Sequence, residues 1–240
     1  NAAFSVAENS AVNTLVGTPL VGSDVDAGQT LLYRIIAGNG DGMFKIGTCS
    51  GQIQVAQTGL DFEGTNSYTL TIQVEDDGSP KLTDTASVTI TVTNVNEVPV
   101  VTGATFNINE NSPVGTALGS IAASDPDAGQ TLTYGLVASA DVEGVFSIHP
   151  TSGAVTVASA VLNYEARTTY ALTVNVTDNG TPSLTGTAAL TINVQNVNEA
   201  PVFANATRSV AENSIINVLV GAALTATDED SGQSITYSIV

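Results

Sequence analysis

The sequence predicts an all-β chain of tandem two-sheet sandwiches, and three observations carry that expectation. The first is composition: 22 Gly in 240 residues, many Val, Thr and Ile, and few Leu, Lys or Arg favour extended over helical backbone. The second is a long repeat. Glu-Asn-Ser occurs at Glu8, Glu110 and Glu212, and 110 minus 8 and 212 minus 110 both equal 102, a domain-sized period. The third is strict alternation, as in Ser67-Tyr68-Thr69-Leu70-Thr71-Ile72-Gln73-Val74 and Ser87-Val88-Thr89-Ile90-Thr91-Val92, which reads as half-buried strands.

Between the strands lie clusters of turn residues: Asn39-Gly40, Thr48-Cys49-Ser50-Gly51 and Asp77-Gly78-Ser79-Pro80. Roughly seven short strands in about 100 residues is the count of an immunoglobulin-like Greek-key sandwich. Trp is absent and aromatics make up 5%, so the core is expected to be Val, Ile, Leu and Ala, with Tyr33, Phe44, Phe62 and Tyr68 as its larger pieces in the first repeat. Further landmarks keep the phase. Leu60-Asp61-Phe62-Glu63 returns as Leu162-Asn163-Tyr164-Glu165, Asp76-Asp77-Gly78-Ser79-Pro80 as Asp178-Asn179-Gly180-Thr181-Pro182, and Asn94-Val95-Asn96-Glu97 as Asn196 to Glu199. Repeats are therefore expected at 1-98 and 99-200, with a partial third at 201-240. Some 40 residues cannot bury a core of their own, so the third is expected either to continue past Val240 or to take its strands from a neighbouring copy.

Charge narrows the function. Five Lys plus Arg against 23 Asp plus Glu gives a net charge of -18, which disfavours nucleic acid and anionic membranes as partners. At 12% charged and 42% hydrophobic residues, the chain is not a disordered acidic tail. No stretch approaches the roughly 20 apolar residues of a membrane span, and neither a signal peptide nor an anchor is legible in the segment. One Cys excludes an intramolecular disulfide, and one His leaves nucleophilic and zinc chemistry without their parts, so no enzymatic activity is expected. His149 and Cys49 occupy matching turns, and Asn175, Asn179 and Asn205 open N-glycosylation sequons. Sixteen of the 23 carboxylates fall in the repeated landmarks and not on strand faces. Such concentration at turns is costly without a counter-ion. An all-oxygen, flexible ligand set suits Ca²⁺ better than Zn²⁺ or Cu²⁺.

At these landmarks the sequence resembles the cadherin repeat: x-E-N-x near the start, D-x-D after the first strands, L-D-x-E in the middle, a D-x-G-x-P hairpin, and an acidic Asn-rich linker ending in Pro. The resemblance covers both full repeats and the start of the third. It implies calcium between consecutive repeats. The first junction would then draw on Glu8, Asp61 and Glu63, on Asn94, Asn96 and Glu97 of the linker, and on Asp125, Asp127 and Asp178 of the second repeat. Seven of these nine are carboxylates, so three Ca²⁺ would bring +6 against -7. The second junction would use Glu110, Glu165, Asn196, Asn198, Glu199, Asp228 and Asp230, while Asp24, Asp26 and Asp76 form an upper half-site on the first repeat, implying a repeat before Asn1. Three departures from the family pattern lower the expected affinity. Asn94 and Asn196 stand where the family has Asp in a linker one residue shorter, Asn163 replaces an Asp, and the loop after D-x-D is shortened, with Gln130 the candidate for its usual Asn.

The expected function is a non-enzymatic, calcium-binding extracellular segment that serves as a rigid stalk or adhesive array at a cell surface, about 45 Å per module if about seven-residue strands and a linker stack end to end. Its partners would be neighbouring repeats of the same chain, with homophilic copies or cell-surface glycans beyond them. Two alternatives are a carbohydrate-binding module array on a secreted polysaccharide-associated protein, which the missing Trp disfavours, and a subunit of an extracellular filament.

Overall fold

The computed structural model describes residues 1–26, 28–137 and 144–239; Ala27 in the first D-x-D loop and Val240 lie outside the described residues. In the first repeat the strands are β1 (Ala2–Ala7), β2 (Leu15–Val16), β3 (Leu32–Ala37), β4 (Phe44–Ile46), β5 (Ile53–Val55), β6 (Ser67–Glu75) and β7 (Thr83–Thr93). The second has β8 (Val100–Val101), β9 (Ala104–Asn109), β10 (Ala117–Ser120), β11 (Ala123–Ser124), β12 (Thr133–Val137), β13 (Phe146–Ile148), β14 (Ala154–Val157), β15 (Thr169–Thr177) and β16 (Thr185–Gln195). Beyond it lie only β17 (Val202–Phe203) and β18 (Ala226–Thr227). The described residues form no helix, so none is long and apolar enough to cross a membrane.

Each full repeat has two main sheets, and the second adds the two-stranded sheet β11-β8. In the first, the sheet β1-β7-β6-β3 faces the sheet β2-β5-β4 across the core; in the second the corresponding orders are β12-β15-β16-β9 and β10-β14-β13. The first strand of each repeat runs parallel to the last: Ala2 pairs with Val88 through to Ala7 with Thr93, and Leu190 with Ala104 through to Gln195 with Asn109. The period-two pattern is realised directly. Tyr68, Leu70 and Ile72 of β6 and Val88, Ile90 and Val92 of β7 point inward, with Tyr170, Leu172, Val174 and Val176 of β15 and Leu190, Ile192 and Val194 of β16 doing the same. Removing each such aliphatic side chain from water is worth about 1.5–3 kcal/mol. Phe44 meets Tyr68 edge-on at 5.1 Å, and Phe146 meets Tyr170 at 5.2 Å, so even the aromatic corner repeats. Tyr33 is buried as expected, while Phe62 is only partly so.

By contacts the chain falls into two compact units. One comprises Asn1–Val98 together with Asp125–Thr131 and Asp178–Leu184; the other comprises Pro99–Ser124, Leu132–Thr177 and Thr185–Val240. The D-x-D and D-x-G loops of the second repeat thus belong to the first unit. All nine residues expected at the first junction lie in that unit, and all seven expected at the second lie in the other. Among the described residues, no apolar side chain after Val194 is buried, and Ile215, Ile216 and Leu219 are almost fully exposed.

Candidate metal centre

Glu8 follows directly on β1 and is buried, 3% exposed. Its backbone N–H donates to Thr93 O at the end of β7 (3.0 Å), which turns the side chain towards the base of the sandwich. There Oε2 accepts the N–H of Phe62 (2.8 Å) and Oε1 the N–H of Val95 (2.7 Å). A single carboxylate therefore pins the L-D-x-E loop and the linker to the first strand. Glu110 repeats this bond for bond, with Tyr164 N–H at 2.8 Å, Val197 N–H at 2.7 Å and its own N–H on Gln195 O at 3.0 Å. Each is followed by an asparagine in the left-handed region, Asn9 at φ 55° and Asn111 at φ 56°, a conformation Asn tolerates better than other side-chain-bearing residues. That twist lets Asn9 Nδ2 donate to Glu97 Oε1 (2.8 Å) and Asn111 Nδ2 to Glu199 Oε1 (2.6 Å).

Around Glu8, carboxylate oxygens of Asp61 and Glu63 gather within 4.8 Å of one another and of its own; around Glu110 the corresponding group is Glu165 and Glu199. The linkers complete both sets. Asn94 Nδ2 donates to Glu63 Oε1 (3.1 Å), Asn96 Nδ2 to Asp178 Oδ2 (3.1 Å) and Pro182 O (2.9 Å), and the Glu97 N–H to Asp127 Oδ2 (2.8 Å). In the second unit Asn196 Nδ2 reaches both Glu165 Oε1 (3.0 Å) and Asp230 Oδ1 (2.9 Å), and the Glu199 N–H reaches Asp230 Oδ2 (2.9 Å). Asn198 Nδ2 donates to Glu199 O (3.2 Å). Each D-x-D motif is closed by its own turn: the N–H of Asp26, Asp127 and Asp230 donates to Oδ1 of Asp24, Asp125 and Asp228 at 2.8, 2.9 and 3.0 Å. Asp76 and Asp178 each gather two N–H donors on Oδ1, from Gly78 and Leu82 and from Gly180 and Leu184. The linker packs against the glycine of D-x-G: a Cβ on Gly180 would stand 1.6 Å from Asn96 Oδ1 and would displace that side chain.

The electrostatics are those of crowded carboxylates. Burial, followed by the charges of Asp127 and Asp178, pushes the Asp125 carboxyl above its ordinary value, and burial with Glu110 and Asp230 nearby does the same to Glu199. Glu63 is an exposed residue, yet loss of water around its carboxylate, with Glu8, Asp127 and Glu97 adding to it, raises it too. At Asp178 burial also works upward but is outweighed by donors from Leu184, Asn96 and Gly180, which hold it low. The two ion pairs described, of Glu75 with Lys81 (2.8 Å) and Arg34 (3.8 Å), lie outside these groups.

Calcium, which the family resemblance implies, can be tested against the donors present. Asp125 Oδ2 and Glu199 Oε2 are closed off from water and accept no hydrogen bond. An orphaned, buried carboxylate oxygen is costly. A hard divalent cation removes that cost, and among the described residues these sites are built of carboxylates and side-chain amides with neither thiolate nor imidazole. The residues fit. The amides of Asn94 and Asn196 present N–H to carboxylates, and a half-turn of either amide presents its oxygen in the same place.

Three participants were not legible in the sequence as site residues. Asn9 and Asn111 fall within the repeated Glu-Asn-Ser landmark, but only the glutamate of it is a ligand type the charge pattern singles out. Glu229 occupies the middle of the third D-x-D, where Val25 and Pro126 stand in the others, and it accepts from Asn163 Nδ2 at 2.8 Å. Asn163, in place of an Asp, is thereby drawn to a carboxylate and does not add one.

Comparison with known proteins agrees with this arrangement. The family model described as cadherin domain matches residues 2–93 and 104–195. Human protocadherin Fat 1 is 33% identical over 233 residues, covering 92% of this chain and 5% of its own length; mouse protocadherin Fat 4 is 37% identical over 219 residues, covering 83% and 4%. The chain thus spans only a small part of these relatives. Among solved structures, mouse cadherin-23 EC22-24 matches with TM-score 0.59 and 31% identity over 81% of this chain and 62% of that one. Human CDH23 EC21-23 matches with TM-score 0.67 and 25% identity over 96% and 83%. Two matched domains, in tandem and with the same carboxylate wiring in each, leave one conclusion: the chain belongs to the cadherin domain family, whose repeats are non-enzymatic adhesion modules of cell-surface proteins.

Proposed function

We propose that this chain is a calcium-binding stretch of an extracellular tandem-repeat protein, with repeats at 1-98, 99-200 and 201-240, acting as a rigid stalk or adhesive array. The observation that carries the calcium reading is the pair of orphaned, water-free oxygens on Asp125 and Glu199, two carboxyls that burial and the charges of neighbouring carboxylates push above their ordinary values. Glu8, Asp61, Glu63, Asn94, Asn96, Glu97, Asp125, Asp127 and Asp178 would hold the ions of the first site. Glu110, Glu165, Asn196, Asn198, Glu199, Asp228 and Asp230 would hold those of the second, and Asp24, Asp26 and Asp76 half of another. Bound calcium supplies the positive charge that the carboxylates otherwise lack. The residues do the rest: Glu8 and Glu110 fix the loop and linker, and Asn9 and Asn111 orient Glu97 and Glu199.

Extracellular modules bind calcium at about 10⁻⁴–10⁻³ M, and ligand at ten times Kd stabilises by about 1.4 kcal/mol. Melting and small-angle scattering in millimolar calcium and in chelator test the reading, with a higher melting temperature and a longer particle expected in calcium. Identical curves in the two conditions would count against it. Homophilic copies are the partner class this reading favours, and binding on a glycan array would favour cell-surface glycans instead.

A further inference from the structure

The two full repeats differ in where they allow charge. Strands of the first carry Arg34 on β3, Lys45 on β4, Glu75 on β6 and Asp84 on β7. In the second repeat the same positions hold Gly135, Ser147, Thr177 and Gly186, and no described strand from β8 to β16 contains an Asp, Glu, Lys or Arg. A chain with a net charge of -18 thus includes one repeat whose strands are wholly neutral. Charged side chains and bulges on edge strands are the usual guards against association between sheets. The first repeat keeps both on its edge strand β3, where Arg34 pairs with Glu75 and the register shifts between Ile35 and Ala37. The second keeps neither, since its edge strand β12 meets β15 without a shift.

The neutral surface is broad. On the outer side of β9, β16 and β15, Thr105, Thr191 and Ala171 form one rung, and Asn107, Asn193 and Thr169 the next. Its polar groups pair across the strands: Asn193 Nδ2 donates to Asn107 Oδ1 (3.3 Å) and Thr169 Oγ1 to Asn193 Oδ1 (3.4 Å). Towards β12 the Asn175 amide lies against Gly135, where a Cβ would stand 2.3 Å from its Oδ1. Covering such a face strips no ion of its water, which is the heavy cost in burying charged strands. Four strands about 4.8 Å apart, with about seven residues each at about 3.3 Å, span about 500 Å². Two such faces would bury about 1,000 Å², at the low end for a specific contact.

We propose that the outer face of β9, β16, β15 and β12 in the second repeat is a self-association surface, covered by the same face of a second copy about a twofold axis. Charge selects this occupant. Approach through the acidic loops sets carboxylates of two strongly negative chains against each other, while this face sets neutral groups against neutral groups. An isologous contact needs a surface complementary to itself, and hydroxyls, amides and methyls that carry no charge meet that condition. A glycan is disfavoured because Phe106, Tyr134 and Tyr170 all pack towards the core and leave no outward ring for a sugar. The proposal rests on the homophilic reading above and names its surface.

Sedimentation equilibrium of the 240-residue chain from about 10 µM to about 1 mM, the range so small an interface requires, tests it in millimolar calcium and again in chelator. The unaltered chain is compared with Ala171→Lys and with Thr69→Lys, the counterpart on β6 of the first repeat, both at exposed positions. Each lysine changes the net charge equally, so only its place separates the two. Ala171→Lys should weaken the dimer by about tenfold or more, because each copy then buries an unpaired charge, and Thr69→Lys should leave it intact. Sodium chloride should strengthen the dimer, since it screens the repulsion between two acidic chains and finds no ion pair in the contact to weaken. Thr173→Lys, on the same strand, repeats the comparison if Ala171→Lys melts below the unaltered chain. Equal effects of the β15 and β6 lysines, whether both weaken the dimer or neither does, overturn the face and leave the homophilic reading with another surface. A chain that stays monomeric at every concentration overturns both, and binding to a neutral glycan array lost only in the β15 variants would then give the face to a glycan.

Discussion

A carboxylate that accepts one backbone N–H on each oxygen cannot be replaced by its own amide. Glu8→Gln would turn an N–H₂ towards the N–H of either Phe62 or Val95, leaving a buried donor unpaired at a cost of about 1–3 kcal/mol. Denaturant unfolding in chelator should show that loss without any contribution from calcium. Asp127→Ala removes the oxygen that accepts the Glu97 N–H and should weaken calcium binding at the first site, read by calorimetry. In the second unit, Asn163→Asp puts a carboxylate at the position that Asp61 holds in the first and should tighten binding there, provided Glu229 is also changed to Ala so that two acids are not set against each other. At this scale the sequence was informative where a carboxylate recurred at 102. Glu8, Glu63, Asp178 and their counterparts could be picked out because each appears twice in register. Glu229 could not, since it has no acidic counterpart, and a charge in a turn ordinarily means solvent. Asn9 and Asn111 recur, but Asn at a left-handed position explains itself without a ligand-orienting bond.

Strands are set by what lies under them. Leu190 on β16 is fully buried, and Leu190→Ala should cost about 2–5 kcal/mol, whereas Leu219→Ala, at a site 89% exposed, should stay within about ±0.5 kcal/mol in the same denaturation assay. The long strands β6, β7, β15 and β16 were plain from alternation because each carries one face to water and one to the core. The two-residue strands β2, β8 and β11 were not, because two residues hold no period. Nor does alternation name a partner. The parallel pairing of β1 with β7 depends on how the chain returns after five intervening strands, which composition does not record.

Across the whole chain, the excess of negative charge, -18, outweighs every local pairing in its reach. Monovalent salt screens such repulsion over about 10 Å at 0.1 M, so sodium chloride should raise the melting temperature slightly in chelator. A few millimolar calcium should exceed that effect, and magnesium, which demands a tighter octahedral shell, should fall short of calcium. Melting curves at matched ionic strength check the order.

The pairing of β1 with β7 also decides how a repeat meets tension. Because the two strands are parallel, the chain enters at the Ala2 rung and leaves at the Thr93 rung, at opposite ends of one ladder. A pull along the chain therefore loads the six paired positions in shear, all at once, and none can yield before the rest. Antiparallel partners pulled from one end peel apart one rung at a time, as Ser67 and Thr91 would across β6 and β7. Single-molecule stretching between residues 2 and 93 should accordingly need more force than stretching between residues 67 and 91. A tether assembled from such repeats would hold by the same bonds that fold it.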